Sequence, residues 1–270
     1  MKAAVLIDNI ASEGLTSEWG LSIYIEYEDK RVLLDTGGSE QFLRNARTMG
    51  IDISKVQYGV LSHAHYDHSN GMEAFFRENK DASFFLREGS GENCYGKLLI
   101  FSRYIGIRKG TLDEYRDRII YARGDYEAAP GIYLIPHKTP GLEAVGLKNH
   151  MYIKKGRRWF PDDFSHEQSL IFDTERGLVI FSSCSHAGAD HIIREAAQTF
   201  PGKKLYALIG GFHLFQAPEK EVRDLAGRIL ETGIQRVYTG HCTGDRAFGL
   251  LKEELGGRLM QLRTGLVMEL

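Results

Sequence analysis

The residues with the most chemistry in the shortest span are His63, His65, Asp67 and His68, in the string Leu61-Ser62-His63-Ala64-His65-Tyr66-Asp67-His68. Imidazole and carboxylate side chains suit borderline divalent ions such as Zn2+, Fe2+ and Mn2+. His63 and His65 are two apart and point the same way if the preceding strand continues through them. Asp67 and His68 are adjacent, so the chain must turn before both can serve a pair of ions. The string therefore reads as a nest for two cations, with His63 and His65 on one and Asp67 and His68 on the other. A His-rich surface turn is the plainer alternative. Its context argues against it: the apolar run Val56 to Leu61 leads in, and Ser69-Asn70-Gly71 and the amphipathic run Met72 to Phe76 follow at once.

Elements elsewhere must bring partners to this string. Lys2 to Ile7, Leu21 to Tyr27 and Val32 to Leu34 read as strands, the last two a hairpin across Glu28-Asp29-Lys30. Ser39 opens a helix through Met49 that Gly50 closes. Ala82 to Leu86, Gly131 to Ile135 and Met151 to Ile153 have strand character, with Pro136 to Lys148 loop-like. From Arg87 to Pro130 repeated glycines break any long period, so about 87–130 reads as an insertion covering the site. Within it Phe101, Tyr104, Ile105 and Ile107 alternate with Arg103, Arg108 and Lys109, a surface for an aromatic or anionic substrate or a small satellite core. His137 and His150 have no partner string and read as exposed or capping histidines.

The second half repeats the strand-then-helix order. Ser169 to Asp173 and Leu178 to Ser183 form a hairpin, Ile192 to Phe200 a helix, Lys204 to Ile209 a strand, and Glu219 to Thr232 an amphipathic helix. Arg236 to Thr239 and Leu266 to Leu270 supply further strands. Four apolar strands thus run into a histidine, at His63, His186, His213 and His241. The expected fold is α/β: two facing mixed β-sheets with helices outside, a four-layer αβ/βα sandwich in one domain spanning 1–270.

Composition sets outer limits. The chain has 270 residues, 43% hydrophobic and 26% charged, which permits a sizeable core. A net charge of −2 argues against a general nucleic-acid or membrane-surface binder. No apolar run approaches the roughly 18 residues of a membrane helix, and the N-terminal run is too short for a signal peptide. The three cysteines, Cys94, Cys184 and Cys242, have no disulfide-framework spacing. A reducing cytoplasm is the expected setting.

His63-x-His65-x-Asp67-His68 resembles the signature of the metallo-β-lactamase superfamily. Glu18-Trp19-Gly20, Asp35-Thr36-Gly37, Glu167-Gln168-Ser169-Leu170, Cys184-Ser185-His186, Gly210-Gly211-Phe212-His213 and Gly240-His241-Cys242-Thr243-Gly244 follow in a matching order. Together they resemble the subgroup labelled 7,8-dihydropterin-6-yl-methyl-4-(β-D-ribofuranosyl)aminobenzene 5′-phosphate synthase-like. The resemblance implies a dinuclear site of two divalent ions, Zn2+ foremost with Fe or Mn as alternatives. His186 would join His63 and His65 on one ion, and His241 would join Asp67 and His68 on the other. Asp67 would also orient the attacking water or accept its proton. Asp35 would support the metal loop from behind. His166 and Glu167 would be reserve ligands or substrate contacts, and His213 would line the pocket. Thr243, at a helix start beside His241, would seat a phosphate or carboxylate. Cys184 departs from the superfamily pattern, standing where a bridging Asp is usual, and is expected to stay out of the coordination.

The implied activity is metal-dependent hydrolysis of a small-molecule ester, lactone or phosphodiester, with a phosphorylated or aromatic substrate in scope and neither nucleic acid nor membrane as partner. A pterin and aminobenzene ribosyl phosphate synthase, an iron-dependent oxidoreductase and a non-catalytic metal-binding protein are the alternatives, in that order.

Overall fold

The strands Lys2–Ile7 and Ser22–Tyr27 are buried at almost every position. Such strands must be covered on both faces, unlike the alternating strands of a sheet with one wet side. The computed structural model describes residues 1–270 and supplies both covers. One seven-stranded sheet runs Val267–Glu269, Lys2–Ile7, Ser22–Tyr27, Lys30–Leu34, Tyr58–Val60, Ser83–Arg87, Ile119–Ala122. The other runs Leu259–Gln261, Arg236–Thr239, Leu205–Gly210, Gly177–Phe181, Gln168–Thr174, Ile132–Pro136, Tyr126–Ala129. Each mixes antiparallel hairpins with parallel neighbours.

Three apolar layers hold the sandwich together. The central one takes Val5, Ile23, Val32 and Val60 from the first sheet and Leu170, Phe172, Val179 and Ile209 from the second. The back of the first sheet packs on Phe42, Leu43, Phe75 and Phe76 of helices Gln41–Thr48 and Met72–Glu78. The back of the second packs on Ile192, Ile193, Val222, Leu225, Ile229 and Leu251 of Ala189–Thr199, Glu219–Glu231 and Asp245–Leu255. Each fully buried aliphatic or aromatic side chain contributes about 1.5–3 kcal/mol. The expected four-layer αβ/βα sandwich is the observed architecture, and no helix is long and apolar enough to cross a membrane.

The stretch 87–130 is not one insertion. Its strands Ile119–Ala122 and Tyr126–Ala129 form the outer edges of the two main sheets. They are four residues each and only partly buried, too short to stand out from a glycine-broken background. The rest pairs with a later segment: Cys94–Leu98 and Phe101–Tyr104 join Met151–Lys155 and Arg158–Pro161 in a separate four-stranded sheet. This small sheet reaches the metal loop, where Tyr66 N donates to Ile105 O at 2.8 Å. Pro136 to Lys148, expected as loop, contains the helix Glu143–Lys148.

Candidate metal centre

The strand Tyr58–Val60 stops before the histidine string, so His63 and His65 do not share a strand face. His65 instead precedes the short helix Tyr66–Ser69, which carries Asp67 and His68 back over the strand ends. The other strands deliver single residues to the same edge: Asp35 after Lys30–Leu34, His186 after Gly177–Phe181, His213 after Leu205–Gly210, His241 after Arg236–Thr239. Asp35, Ser185, His213 and His241 have φ of 57°, 53°, 49° and 47°. Left-handed backbone at a residue with a side chain costs on the order of 1 kcal/mol or more, and here four such residues turn strands sharply into one rim.

His63, His65 and His186 form one set, each offering a nitrogen within 4.8 Å of the others. His68, His241 and Asp67 form a second: His68 Nε2 and His241 Nε2 are 3.2 Å apart, with Asp67 Oδ2 at 3.8 and 3.6 Å from them. All six are buried. The fold therefore brings His186 and His241 to the same edge as the histidine string.

Hydrogen bonds behind the rings decide which nitrogen faces inward. Asp35 accepts from Ser62 N at 2.7 Å, Ser62 Oγ at 2.7 Å, Ser183 Oγ at 2.6 Å and His68 Nδ1 at 2.8 Å. Ser62 Oγ has given its proton to Asp35, so it accepts from His63 Nδ1 at 2.9 Å. His241 Nδ1 donates to Asn9 Oδ1 at 3.1 Å, and its backbone N to Asp8 Oδ2 at 3.0 Å. His63, His68 and His241 thus turn Nε2, whose lone pair a cation would take up, to the interior. This is the usual arrangement behind metal-binding histidines.

Those lone pairs fit a cation. Two nitrogens bound at about 2.0–2.1 Å to one tetrahedral zinc lie about 3.3 Å apart, against 3.2 Å for His68 and His241. Two lone pairs that close repel unless a cation or proton sits between them. In the other set His63 Nε2, His65 Nε2 and both ring nitrogens of His186 have no hydrogen-bond partner. Burial, then the neighbouring imidazoles, hold His63 and His186 uncharged, far below the usual histidine range. Burial opposes charge on His68 too, but Asp67 and Asp35 outweigh it and push its pKa up to about 9. Burial likewise works against ionisation of Asp67, yet His68, His241 and His65 hold its carboxyl below the usual range.

The remaining expected residues divide. His213 lines a cavity of about 170 Å3 beside the centre with Trp19, Tyr66, Asp67, Ile105, Met151 and Phe215. A cleft of about 500 Å3 adjoins it, sharing His186, His213 and Phe215 and extending to Lys148 and Arg228. His166 is a brace: its Nδ1 accepts from Ala64 N at 3.1 Å, leaving Nε2 to donate to Asp162 Oδ2 at 3.2 Å. Glu167 accepts from His186 N at 3.3 Å and faces His137 Nε2 at 3.0 Å, so it supports the centre from outside. Thr243 is fully buried, with Oγ1 bonded to Phe212 N at 3.0 Å and Thr239 Oγ1 at 2.6 Å. Its hydroxyl ties two strand ends together and leaves no seat for an anion, which corrects the expectation. Of the 101–109 run, Ile105 lines the cavity and Arg103 lies 5.7 Å over the Tyr66 ring. Ile107 is core, Arg108 pairs with Glu73, and Phe101 projects into solvent.

His137 overturns its reading as exposed or capping. Its side chain is 2% exposed, wedged between Glu167 Oε2 at 3.0 Å and Glu195 Oε2 at 3.4 Å. Asp8, Asn9, Ser62, Ser183 and Asp162 also went unread. Asp8 and Asn9 close the first strand as Asp35 closes the third, and that parallel was the available signal. Cys184 Sγ lies 3.3 Å from His68 Nε2 and 3.4 Å from Cys242 Sγ, inside the centre rather than beside it. Gly211 allows this, since a Cβ there would stand 2.5 Å from Cys242 Sγ.

Comparison with known proteins bears on the family and the fold. Residues 20–195 match the family model described as the metallo-beta-lactamase superfamily. A Methanocaldococcus jannaschii protein named 7,8-dihydropterin-6-methyl-4-(beta-D-ribofuranosyl)-aminobenzene-5'-phosphate synthase is 27% identical over 94% of this chain and 90% of its own. Among solved structures, Tm1679, titled a metal-dependent hydrolase of the beta-lactamase superfamily, is 29% identical with a TM-score of 0.86, covering 100% of this chain and 99% of its own. A diphosphatase from the PhnP family shares the fold, at 14% identity and a TM-score of 0.56 over 100% of this chain and 97% of its own.

Proposed function

The chain belongs to the metallo-β-lactamase superfamily, and we propose that it is a metal-dependent hydrolase of small esters, lactones or phosphodiesters. The observation that carries this reading is the convergence of buried imidazole nitrogens in two adjacent sets beside a cavity. His63, His65 and His186 would hold one divalent ion, and Asp67, His68 and His241 the other. Bound there, such ions would acidify water toward neutral pH and polarise a carbonyl or phosphoryl oxygen.

The chain's own groups do the rest. Asp35 and Asn9 hold the imidazoles in the tautomers that bind. Asp67, kept ionised by its histidine neighbours, has an oxygen at the cavity to orient water and take its proton. Trp19 packs at 5.3 Å on the His241 ring and 5.8 Å on Phe215, walling one side and excluding bulk water. The adjoining cleft leaves room for a leaving group beyond His186 and His213.

A second reading is synthase chemistry of the kind named for the M. jannaschii relative. It draws on that chain-wide similarity and on aromatic and cationic side chains on and beside the small sheet, where Lys109 lies 4.9 Å over Tyr104 and Lys154 5.1 Å over Trp159. One experiment addresses both readings. Metal content is measured on the purified protein, which is then assayed on chromogenic esters, lactones and phosphodiesters, and separately for mass-detected condensation of a dihydropterin with a ribofuranosyl-aminobenzene phosphate. The hydrolase reading expects turnover in the first assay and its loss in His65→Ala, along with metal, while circular dichroism is retained. Unchanged metal content in His65→Ala, or condensation without hydrolysis, overturns it.

A further inference from the structure

We propose that the space over Gly96, between Met151 and Arg103, seats the anionic end of the substrate, with the Arg103 guanidinium as its anchor. This rests on the hydrolase reading above and narrows its substrates to apolar molecules carrying a carboxylate or phosphate away from the bond cleaved. The charge distribution is the first sign. The chain as a whole is −2. Yet residues 94–104 and 151–161, which build the small four-stranded sheet, hold Lys97, Arg103, Lys154, Lys155, Arg157 and Arg158 and no acid. None of the six forms an ion pair, whereas Arg108 and Lys148, just outside the sheet in sequence, pair with Glu73 and Glu221. A cationic surface free of acid beside a reaction site draws anions toward it.

Strand register sorts these cations between two faces. Met151, Gly96 and Arg103 pair across three neighbouring strands, so they form one row on the same side of the sheet. Met151 lines the cavity beside the metal centre, which makes this the inner face. Arg103 lies 5.7 Å over the ring of Tyr66, another cavity residue. Lys97 and Lys154 point the other way, over Tyr152 and Trp159 on the outer face. Of the six cations, Arg103 is the one that shares a row with a cavity residue. Its N–H donors meet no protein acceptor, so the fork is free to hold an anion.

An arginine laid over a tyrosine is an ordinary surface pairing; the glycine beside it sets this one apart. Gly96 is interior to the strand Cys94–Leu98, where glycine weakens a sheet by chain entropy and lost packing. No backbone need explains it, because its φ lies outside the left-handed region. Nor does crowding, because a Cβ there would meet only Ile105 Cγ2, at an ordinary 3.9 Å. The glycine therefore leaves a notch bounded by Met151, Ile105 and Arg103, and the first two also line the cavity. A strand glycine of this kind marks a place where a ligand comes close to the backbone. Trp19, Tyr66, Ile105, Met151 and Phe215 give the cavity apolar walls for the body of the substrate, and the notch takes its charge.

Matched probes test this. Zinc-loaded protein is titrated calorimetrically with coumarin-3-carboxylate and with coumarin-3-carboxamide, which has nearly the same shape and no charge. The 7-acetoxy derivatives of both report KM and kcat. Wild type is expected to bind the carboxylate about tenfold tighter, the lower end for a hydrogen bond to a charged group. Arg103→Gln should bring that ratio to about one, through KM rather than kcat, and Arg103→Lys should restore part of it. Gly96→Val should lower the ratio too while the melting temperature holds or rises, since valine suits a strand. Arg157→Gln, in the turn beyond Lys155, should keep it. A wild-type ratio near one, a ratio that survives Arg103→Gln or Gly96→Val, or an equal fall in Arg157→Gln overturns the anchor. An Arg103-dependent ratio in binding, with no turnover of either acetate, would instead overturn the hydrolase reading on which the substrate class rests.

Discussion

Replacing Asp35 by Asn changes one oxygen to NH2 and leaves the shape of the side chain intact. Oδ1 can still accept from Ser62 N, but the position of Oδ2, which receives Ser62 Oγ, Ser183 Oγ and His68 Nδ1, becomes a donor. The two hydroxyls can rotate and accept. His68 cannot do so without moving its proton to Nε2, the atom that faces His241. A protonated Nε2 has no lone pair for a cation. Restoring the binding tautomer means giving up a hydrogen bond to a charged acceptor, about 1.5–3 kcal/mol. At 1.36 kcal/mol per tenfold that is roughly 10–150-fold in affinity. The loss should fall on the Asp67–His68–His241 position. The His63 position, reached only through Ser62, should weaken by less than about tenfold. Competition titration of Zn2+ against a chromophoric chelator resolves the two constants, and nitrogen-detected magnetic resonance reports the His68 tautomer. Two constants within about threefold of wild type, with the His68 proton still on Nδ1, would refute the argument.

Three further substitutions probe separate links. Asp67→Asn is expected to keep part of the metal yet lose most turnover, and unaltered turnover by elemental analysis and rate assay together would remove its proton-handling role. His137→Gln tests the buried Glu167–His137–Glu195 contact: burial opposes its charge, but the two carboxylates push the imidazole from 6.5 up to about 9. The imidazolium therefore stabilises the fold by about 3 kcal/mol below pH 6.5, and this is lost as pH rises through about 9. Urea unfolding should show the gap between wild type and variant shrinking by about that amount from pH 6 to 10, and a pH-independent gap would sink the idea. Gly71→Ala places a Cβ 2.3 Å from Thr36 O and 2.6 Å from Ser39 O, both backbone; we expect a loss of about 2 kcal/mol or more in stability, and a melting temperature equal to wild type would show that the turn has slack.

The parts of this molecule that could be read from the sequence are those whose signal is local. Periodicity exposes the Glu219–Glu231 helix, and spacing exposes the histidine string, because both are set within 13 residues or fewer. His186 and His241 could be placed because apolar strands run straight into them. His137 could not: its partners are 30 and 58 positions further on, and nothing beside it marks it as charged or buried. Thr243 was misread for a related reason. A hydroxyl at a helix start looks available until Phe212 N and Thr239 Oγ1 are seen to occupy it. The edge strands at 119–122 and 126–129 exist through their pairing with distant neighbours, with little of their own pattern to announce them.

The left-handed residues at Asp35, Ser185, His213 and His241 carry a further implication for how such a centre behaves over time. Each is forced by the sandwich itself, whose core would have to loosen before any of the four could relax. The rim is then closer to a casting mould than to a jaw, its outline set before anything is poured in. Swapping one metal for another should leave the surrounding chain unmoved, so that loading history, more than any refolding, would decide what a given molecule carries.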